Sequence, residues 1–191
     1  MSQGIIDFTY KIEGRATKAS SVYKLASKYY RDIVKNEAIL ANVTENDHIL
    51  CVGGGMCPFS AILFHQITGA KITVIDNNLL CIPKARQVIH KLGLCKMIQV
   101  KCHDGCKGEL DYSLFTVVHL ALQVNPMEKV FEHIEKQVNV GTKILIRRPK
   151  KSLNAIYCNL AKQKIEQSPY ISHKSRNIGK TILYTKQDVF A

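Results

Sequence analysis

Long apolar runs are missing from this chain of 191 residues: none approaches the roughly 18–20 residues that a membrane span needs. Met1-Ser2-Gln3-Gly4 opens no basic, apolar, small-residue sequence of the signal-peptide kind. Repeats, low-complexity tracts and a Gly/Ser/Pro-rich linker are absent as well, so nothing divides the chain into an array or a tethered pair. The seven cysteines are odd in number and irregular in spacing, which excludes a disulfide framework. These absences predict a soluble, cytoplasmic protein with free thiols and no membrane partner. Hydrophobic residues at 46% and charged residues at 22% exclude long disorder, collagen and coiled coil. One domain of this length hides roughly two thirds of its unfolded surface, enough for a real core.

Acidic side chains are scarce, 15 against 27 Lys and Arg, for a net charge of +12. The imbalance is concentrated: residues 142–191 hold eleven of the basic side chains and two of the acidic ones. Arg147-Arg148-Pro149-Lys150-Lys151 is the densest part. Such a surface would suit RNA, another polyanion or an acidic small molecule. With no stacking aromatics interleaved, it reads equally as a lysine-rich solvated face.

The first element is helical. Val22, Leu25, Ala26, Tyr29, Ile33 and Val34 recur at three- and four-residue steps with charged residues between them, predicting a helix from about Lys18 to about Leu40, with a break near Asn36. From His48 the texture changes. Ile49–Val52, Lys71–Ile75, Met97–Lys101, Leu114–Val118 and Lys143–Ile146 are short runs rich in branched residues, as parallel strands buried on both faces should be. Helical patterns at Pro58–Thr68, Leu79–Leu92 and Met127–Val138 lie between them. The alternation predicts an α/β doubly wound, mostly parallel sheet with right-handed crossovers. A helix around Ser152–Lys164 follows. A turn containing Asn177-Ile178-Gly179 then leads into a last strand, Thr181–Thr185, preceded by another extended piece. That ending predicts a reversed strand at the sheet edge.

The most informative stretch is Ile49-Leu50-Cys51-Val52-Gly53-Gly54-Gly55-Met56-Cys57-Pro58, a strand that runs into three glycines and then a helix beginning at Pro58. Glycine lets backbone turn sharply and approach a ligand without a Cβ in the way. In an open α/β sheet this place binds nucleoside cofactors. Asp76 ends the second strand, 23 residues after Gly53, where a carboxylate can accept both hydroxyls of an adenosine ribose. Asn77 is a second candidate beside the adenine or ribose. A dinucleotide fold wants a third glycine where this chain has Pro58. S-adenosylmethionine carries no pyrophosphate and constrains the loop less, and the reversed edge strand suits it too. The features favour S-adenosylmethionine.

Gly53-Gly54-Gly55-Met56-Cys57-Pro58-Phe59-Ser60 resembles the Gly-Gly-Gly-Pro-Leu-Pro-Leu-Thr type of loop in nicotianamine synthases. The resemblance runs from about Glu37 to about Tyr157. It takes in Thr73-Val74-Ile75-Asp76, Val130-Phe131-Glu132-His133-Ile134 and Ile144-Leu145-Ile146-Arg147. It implies a Rossmann-like class I methyltransferase fold with an N-terminal helical domain. It also implies transfer of the 3-amino-3-carboxypropyl group of S-adenosylmethionine to a small-molecule amine acceptor. By the same resemblance Gly53, Gly54, Gly55, Asp76 and Asp104 are cofactor residues, Asp104 near the adenine, and Arg147 is an arginine ending the fifth strand. There it would pair with the carboxylate of the transferred group or belong to the basic surface. The family's tyrosine ahead of the first strand falls at Asn36. The helical domain shrinks to a segment over residues 1–44, ahead of a cofactor domain over 45–191. Its glutamate finds no secure counterpart, Glu13 being a guess.

Other residues carry open readings. His119 follows Leu114–Val118 and so falls at or just past the end of the fourth strand, as a proton acceptor or as a buried, hydrogen-bonded histidine. Cys102-His103-Asp104-Gly105-Cys106 gathers possible ligands but lacks the second knuckle of a zinc site, so no metal is expected. Tyr23, Tyr29 and Tyr30 would cover the cofactor or join the core. The leading expectation is a transferase using S-adenosylmethionine. Methyl transfer to a small molecule or RNA, and a non-catalytic binding module, remain alternatives.

Overall fold

The computed structural model describes residues 20–153, 165 and 167–188. Helix α1 (Ser20–Leu40) comes first, then β1 (His48–Val52), α2 (Phe59–Thr68), β2 (Lys71–Asp76), α3 (Cys81–Lys91) and β3 (Ile98–Cys102). After a 3-10 turn at Tyr112–Leu114 follow β4 (Val117–Leu120), α4 (Met127–Gln137) and β5 (Lys143–Pro149). The short β6 (Tyr170–Ser172) and the longer β7 (Ile178–Thr185) close the chain. The seven strands form one sheet in the order β3-β2-β1-β4-β5-β7-β6. β1 to β5 pair in parallel, β7 runs antiparallel to β5, and β6 runs antiparallel to β7. The expected α/β sheet and its reversed edge strand are both present.

Burial on both faces explains why the strands read as unbroken apolar runs. One face, with Ile49, Cys51, Ile72, Val74, Val117 and Leu145, lies under Val34 and Ala38 of α1, Ala41 just beyond it, and the apolar sides of α2 and α3. The other, with Leu50, Val52, Val118, Leu120, Ile144 and Ile146, packs against Met127, Val130, Phe131 and Ile134 of α4. Among the described residues no helix is long and apolar enough to cross a membrane.

Several boundaries differ from the sequence reading. Helix α1 runs through Asn36 without a break, because Val34 and Ala38 hold its face on the sheet. Pro58 precedes α2 as its cap, with φ −77° and ψ 66°, instead of being its first residue. Leu114 belongs to the 3-10 turn that Asp111 caps by accepting the Ser113 N–H, so β4 begins only at Val117. Ile178 and Gly179 lie in β7 and not in a turn, because Ile178 pairs with Pro149 across a register shift at the end of β5. Lys151–Leu153 forms a 3-10 turn. The rest of the expected helix, residues 154–164, lies outside the described residues, as do Glu13 and the Tyr23 side chain.

Candidate active site

The carboxyl end of β1 meets the glycine loop as the sequence implies. Gly53 and Gly55 take φ of +81° and +62°, backbone that L side chains rarely adopt. Gly54 is needed for a different reason: a Cβ there would collide with Cγ1 of Val74 on β2. Gly54→Val should therefore cost about 1–3 kcal/mol by overpacking, before any ligand is considered. Thermal melts of G54V and of G54V/V74A test this; the double variant should recover much of the loss, and no recovery would place the clash elsewhere.

Asp76 ties the loop down from the end of β2. Its Oδ2 accepts the Gly55 N–H at 2.8 Å and its Oδ1 the Asn78 N–H at 2.9 Å. An ionised carboxylate has about four acceptor sites, so about two remain for a ligand. Asp76, Asn77 and Asp104 line one cavity, together with Gly53, Gly55, His103, Gln123 and Val124. Asp104 is itself steadied by the Cys106 N–H at 2.9 Å. Among the described residues no lysine or arginine lines this cavity, although the protein carries +12. Such a wall suits hydroxyl, amino and cationic groups.

A second cavity adjoins the first, sharing Val52, Gly53 and Gln123 with it. Tyr29, Tyr30, Ser60, His119, Arg147 and Asn177 line it, and Cys51 closes its floor. Burial pushes the Cys51 thiol up to about 12, so it is an inert wall and not a nucleophile. Tyr30 stacks on Phe59 with ring centroids 5.8 Å apart, and the Arg147 guanidinium sits 5.6 Å from the Tyr30 centroid. Tyr29 and Tyr30 thus line the cavity, and Tyr30 also packs against the core.

Behind that wall lies the feature the sequence hides. Strand alternation puts Cys51, His119, Arg147 and Thr181 on one face of the sheet. Glu37 of α1 comes down on that face, fully buried. Arg147 donates from Nε and Nη2 to the two Glu37 oxygens, each at 2.7 Å, and from Nη1 to Ser60 Oγ at 2.9 Å. The Thr181 hydroxyl donates to Glu37 Oε1 at 2.7 Å and stands 2.8 Å from His173 Nε2. His119 Nε2 lies 3.6 Å from Glu37 Oε2, short of a hydrogen bond, and has no other partner among the described residues.

The charges follow from this geometry. Burial alone would raise the Glu37 carboxyl, yet Arg147 and then His119 hold it well below the usual carboxylate range. Glu37 likewise outweighs burial at Arg147 and keeps it protonated. Burial and Arg147 push His119 down against the pull of Glu37, which leaves the imidazole neutral.

Two expectations are corrected. His119 lies inside β4, opposite Cys51, and not at or past its end, because the strand begins three residues later than its apolar run suggests. Arg147 lies inside β5, which continues to Pro149, and it is 3% exposed, so it is no part of the basic surface. Its fork is already filled by Glu37. Glu37 itself was legible only as an oddity: Leu25, Tyr29, Ile33, Glu37 and Ala41 form a row at four-residue steps with a carboxylate in it. Among the described residues no group of three or more His, Cys, Asp or Glu side chains is placed to hold a metal ion.

No family model and no curated protein sequence matches the chain. Solved structures do. A variant of MtNAS, a nicotianamine synthase, superposes with a TM-score of 0.79 at 21% identity, over 97% of this chain and 74% of that one. MtNAS in complex with MTA and tNA gives 0.78 at 22% identity over the same shares. An RNA methyltransferase from Salinibacter ruber in complex with S-adenosyl-L-homocysteine gives 0.66 at 19% identity, over 82% of this chain and 92% of that one. These likenesses show the fold: the chain has the Rossmann-like fold seen in MtNAS and in the RNA methyltransferase, a mostly parallel sheet with one antiparallel pair at its edge.

Proposed function

We propose that the chain is an S-adenosylmethionine-dependent transferase that moves the 3-amino-3-carboxypropyl group to an amine acceptor. The observation that carries this is the pair of joined cavities at the carboxyl end of β1, one acidic and one walled by His119, Tyr30 and Arg147. The first fits an adenosine: Asp76 and Asn77 for the ribose, Asp104 for the adenine amino group, Gly53–Gly55 for close backbone approach. When bound, S-adenosylmethionine supplies electrophilic carbons beside its sulfonium. The chain's part is to orient, to exclude water and to take a proton.

That last task falls to His119. An amine that forms a new N–C bond must lose a proton, and a neutral imidazole can receive it. Its Nε2 faces the buried Glu37 carboxylate at 3.6 Å. Helix α1 acts as a cap, contributing Tyr29 and Tyr30 to the acceptor side. The likeness to MtNAS, over more of this chain than the RNA methyltransferase covers, supports aminocarboxypropyl over methyl transfer.

Mass spectrometry of the purified protein tests the cofactor assignment. S-adenosylmethionine, 5′-methylthioadenosine or S-adenosylhomocysteine should be retained, or bound on addition. A nicotinamide dinucleotide in its place, or no binding at millimolar S-adenosylmethionine, would overturn it.

A further inference from the structure

We propose that Glu37 is the positioning residue of the second cavity, fixing the Arg147 fork and balancing its charge beside the His119 ring so that the wall facing the acceptor carries no net charge. The inference rests on the transferase reading and deepens it. Glu37 touches neither cavity wall; it acts through the two side chains that do. Its two oxygens take the Arg147 fork side-on at 2.7 Å each, the arrangement that fixes a guanidinium in plane as well as in place. Oε2 also faces His119 Nε2 at 3.6 Å, and nothing else among the described residues meets that nitrogen.

Every neighbouring element contributes to the field at His119. Helix α1 brings Glu37 and Tyr30, β1 brings Cys51, β5 brings Arg147, and the edge strands bring His173 behind Thr181. Helix α2 brings the Phe64 ring, 5.4 Å away, and Ser60, neither of which titrates. Burial keeps the Cys51 thiol protonated near neutral pH. The charges acting on the ring are therefore Glu37 and Arg147, and they pull in opposite directions. An unmasked Arg147 would repel an ammonium acceptor and a protonated His119 alike. An unmasked Glu37 would trap both. Paired, they leave the acceptor amine free to reach the ring and lose its proton there.

The test follows His119 by NMR, which reads the ring whether or not product forms, alongside the acid limb of kcat/KM. E37Q should move the His119 midpoint to lower pH, and R147Q should move it to higher pH. Each shift should span about one to three pH units, the ordinary effect of a charge within 4–6 Å. E37Q/R147Q should return close to the parent protein. T181V, which removes a hydrogen bond to Glu37 but no charge, should leave the midpoint in place. Shifts of the same sign in E37Q and R147Q, or none, would overturn the proposal. Should E37Q fail to fold, R147Q against the double variant carries the same sign test. A correct NMR pattern with no transferase product would sink the transferase reading while leaving the Glu37 arrangement standing. A matching acid limb in kcat/KM ties the arrangement to the chemistry.

Discussion

Asp76→Ala should weaken S-adenosylmethionine binding by about 10- to 150-fold, since hydrogen bonds to a charged group contribute about 1.5–3 kcal/mol. The carboxylate has two duties at once. It accepts the Gly55 and Asn78 N–H groups, which anchors the loop, and its remaining acceptor sites face the cavity that Asn77 and Asp104 share. D76N keeps the shape but aims an amide N–H at one of those backbone donors, so it should rescue little. Calorimetry separates the two duties when adenosine and 2′,3′-dideoxyadenosine are titrated into the parent protein and D76A. If Asp76 meets the ribose, deleting the carboxylate and deleting the hydroxyls will be strongly non-additive. Strict additivity would leave Asp76 as a loop anchor only. Unchanged affinity in D76A would remove it from the site.

Breaking the buried pair should have the largest effect on stability. Glu37→Met leaves the Arg147 charge buried without its partner, and Arg147→Met does the same to Glu37. Each should cost about 3–5 kcal/mol. In a chain of this size that lowers the melting temperature by roughly 6–20 °C. The double variant buries no unpaired charge and should recover most of the loss, as neutral replacements of buried pairs often do. Single variants as stable as the parent protein would mean the pair is not dry. The pH dependence has a fixed sign. Glu37 and His119 both have lowered pKa values in the folded chain, so both contribute stability that is lost as pH falls. Denaturation midpoints should decline from about pH 6.5 as His119 is forced to charge, and again below about pH 4.5 from Glu37. The second decline should shrink in the double variant.

These residues also show what the sequence could and could not convey. The strand, three glycines and Asp76 were readable because the backbone demands them locally: a sharp turn needs glycine, and a strand end beside it needs an acceptor. The sheet was readable because buried parallel strands must be apolar on both faces. Glu37 was not, since its partner Arg147 lies 110 positions away and a helix glutamate ordinarily faces water. Of the two readings open for Arg147, its basic neighbours suggest the surface one, which the fold excludes. Lys150 and Lys151 are exposed, while strand alternation turns Arg147 inward. The onset of β4 was misplaced because the apolar Leu114 and Phe115 look like strand, yet the Asp111 cap bends Tyr112–Leu114 into a 3-10 turn. Local pattern carries local structure; a charge pair across the sheet needs the fold.

The basic composition of residues 142–191 makes methyl transfer to RNA the second reading. The two chemistries differ in which carbon beside the sulfonium meets the nucleophile, and therefore in the by-product. Incubation with S-adenosylmethionine labelled in its methyl group, across a panel of amine acceptors and RNA, tests the account most directly. The account predicts label recovered in 5′-methylthioadenosine with an unlabelled aminocarboxypropyl product. Label on the acceptor, with S-adenosylhomocysteine as the by-product, would contradict it.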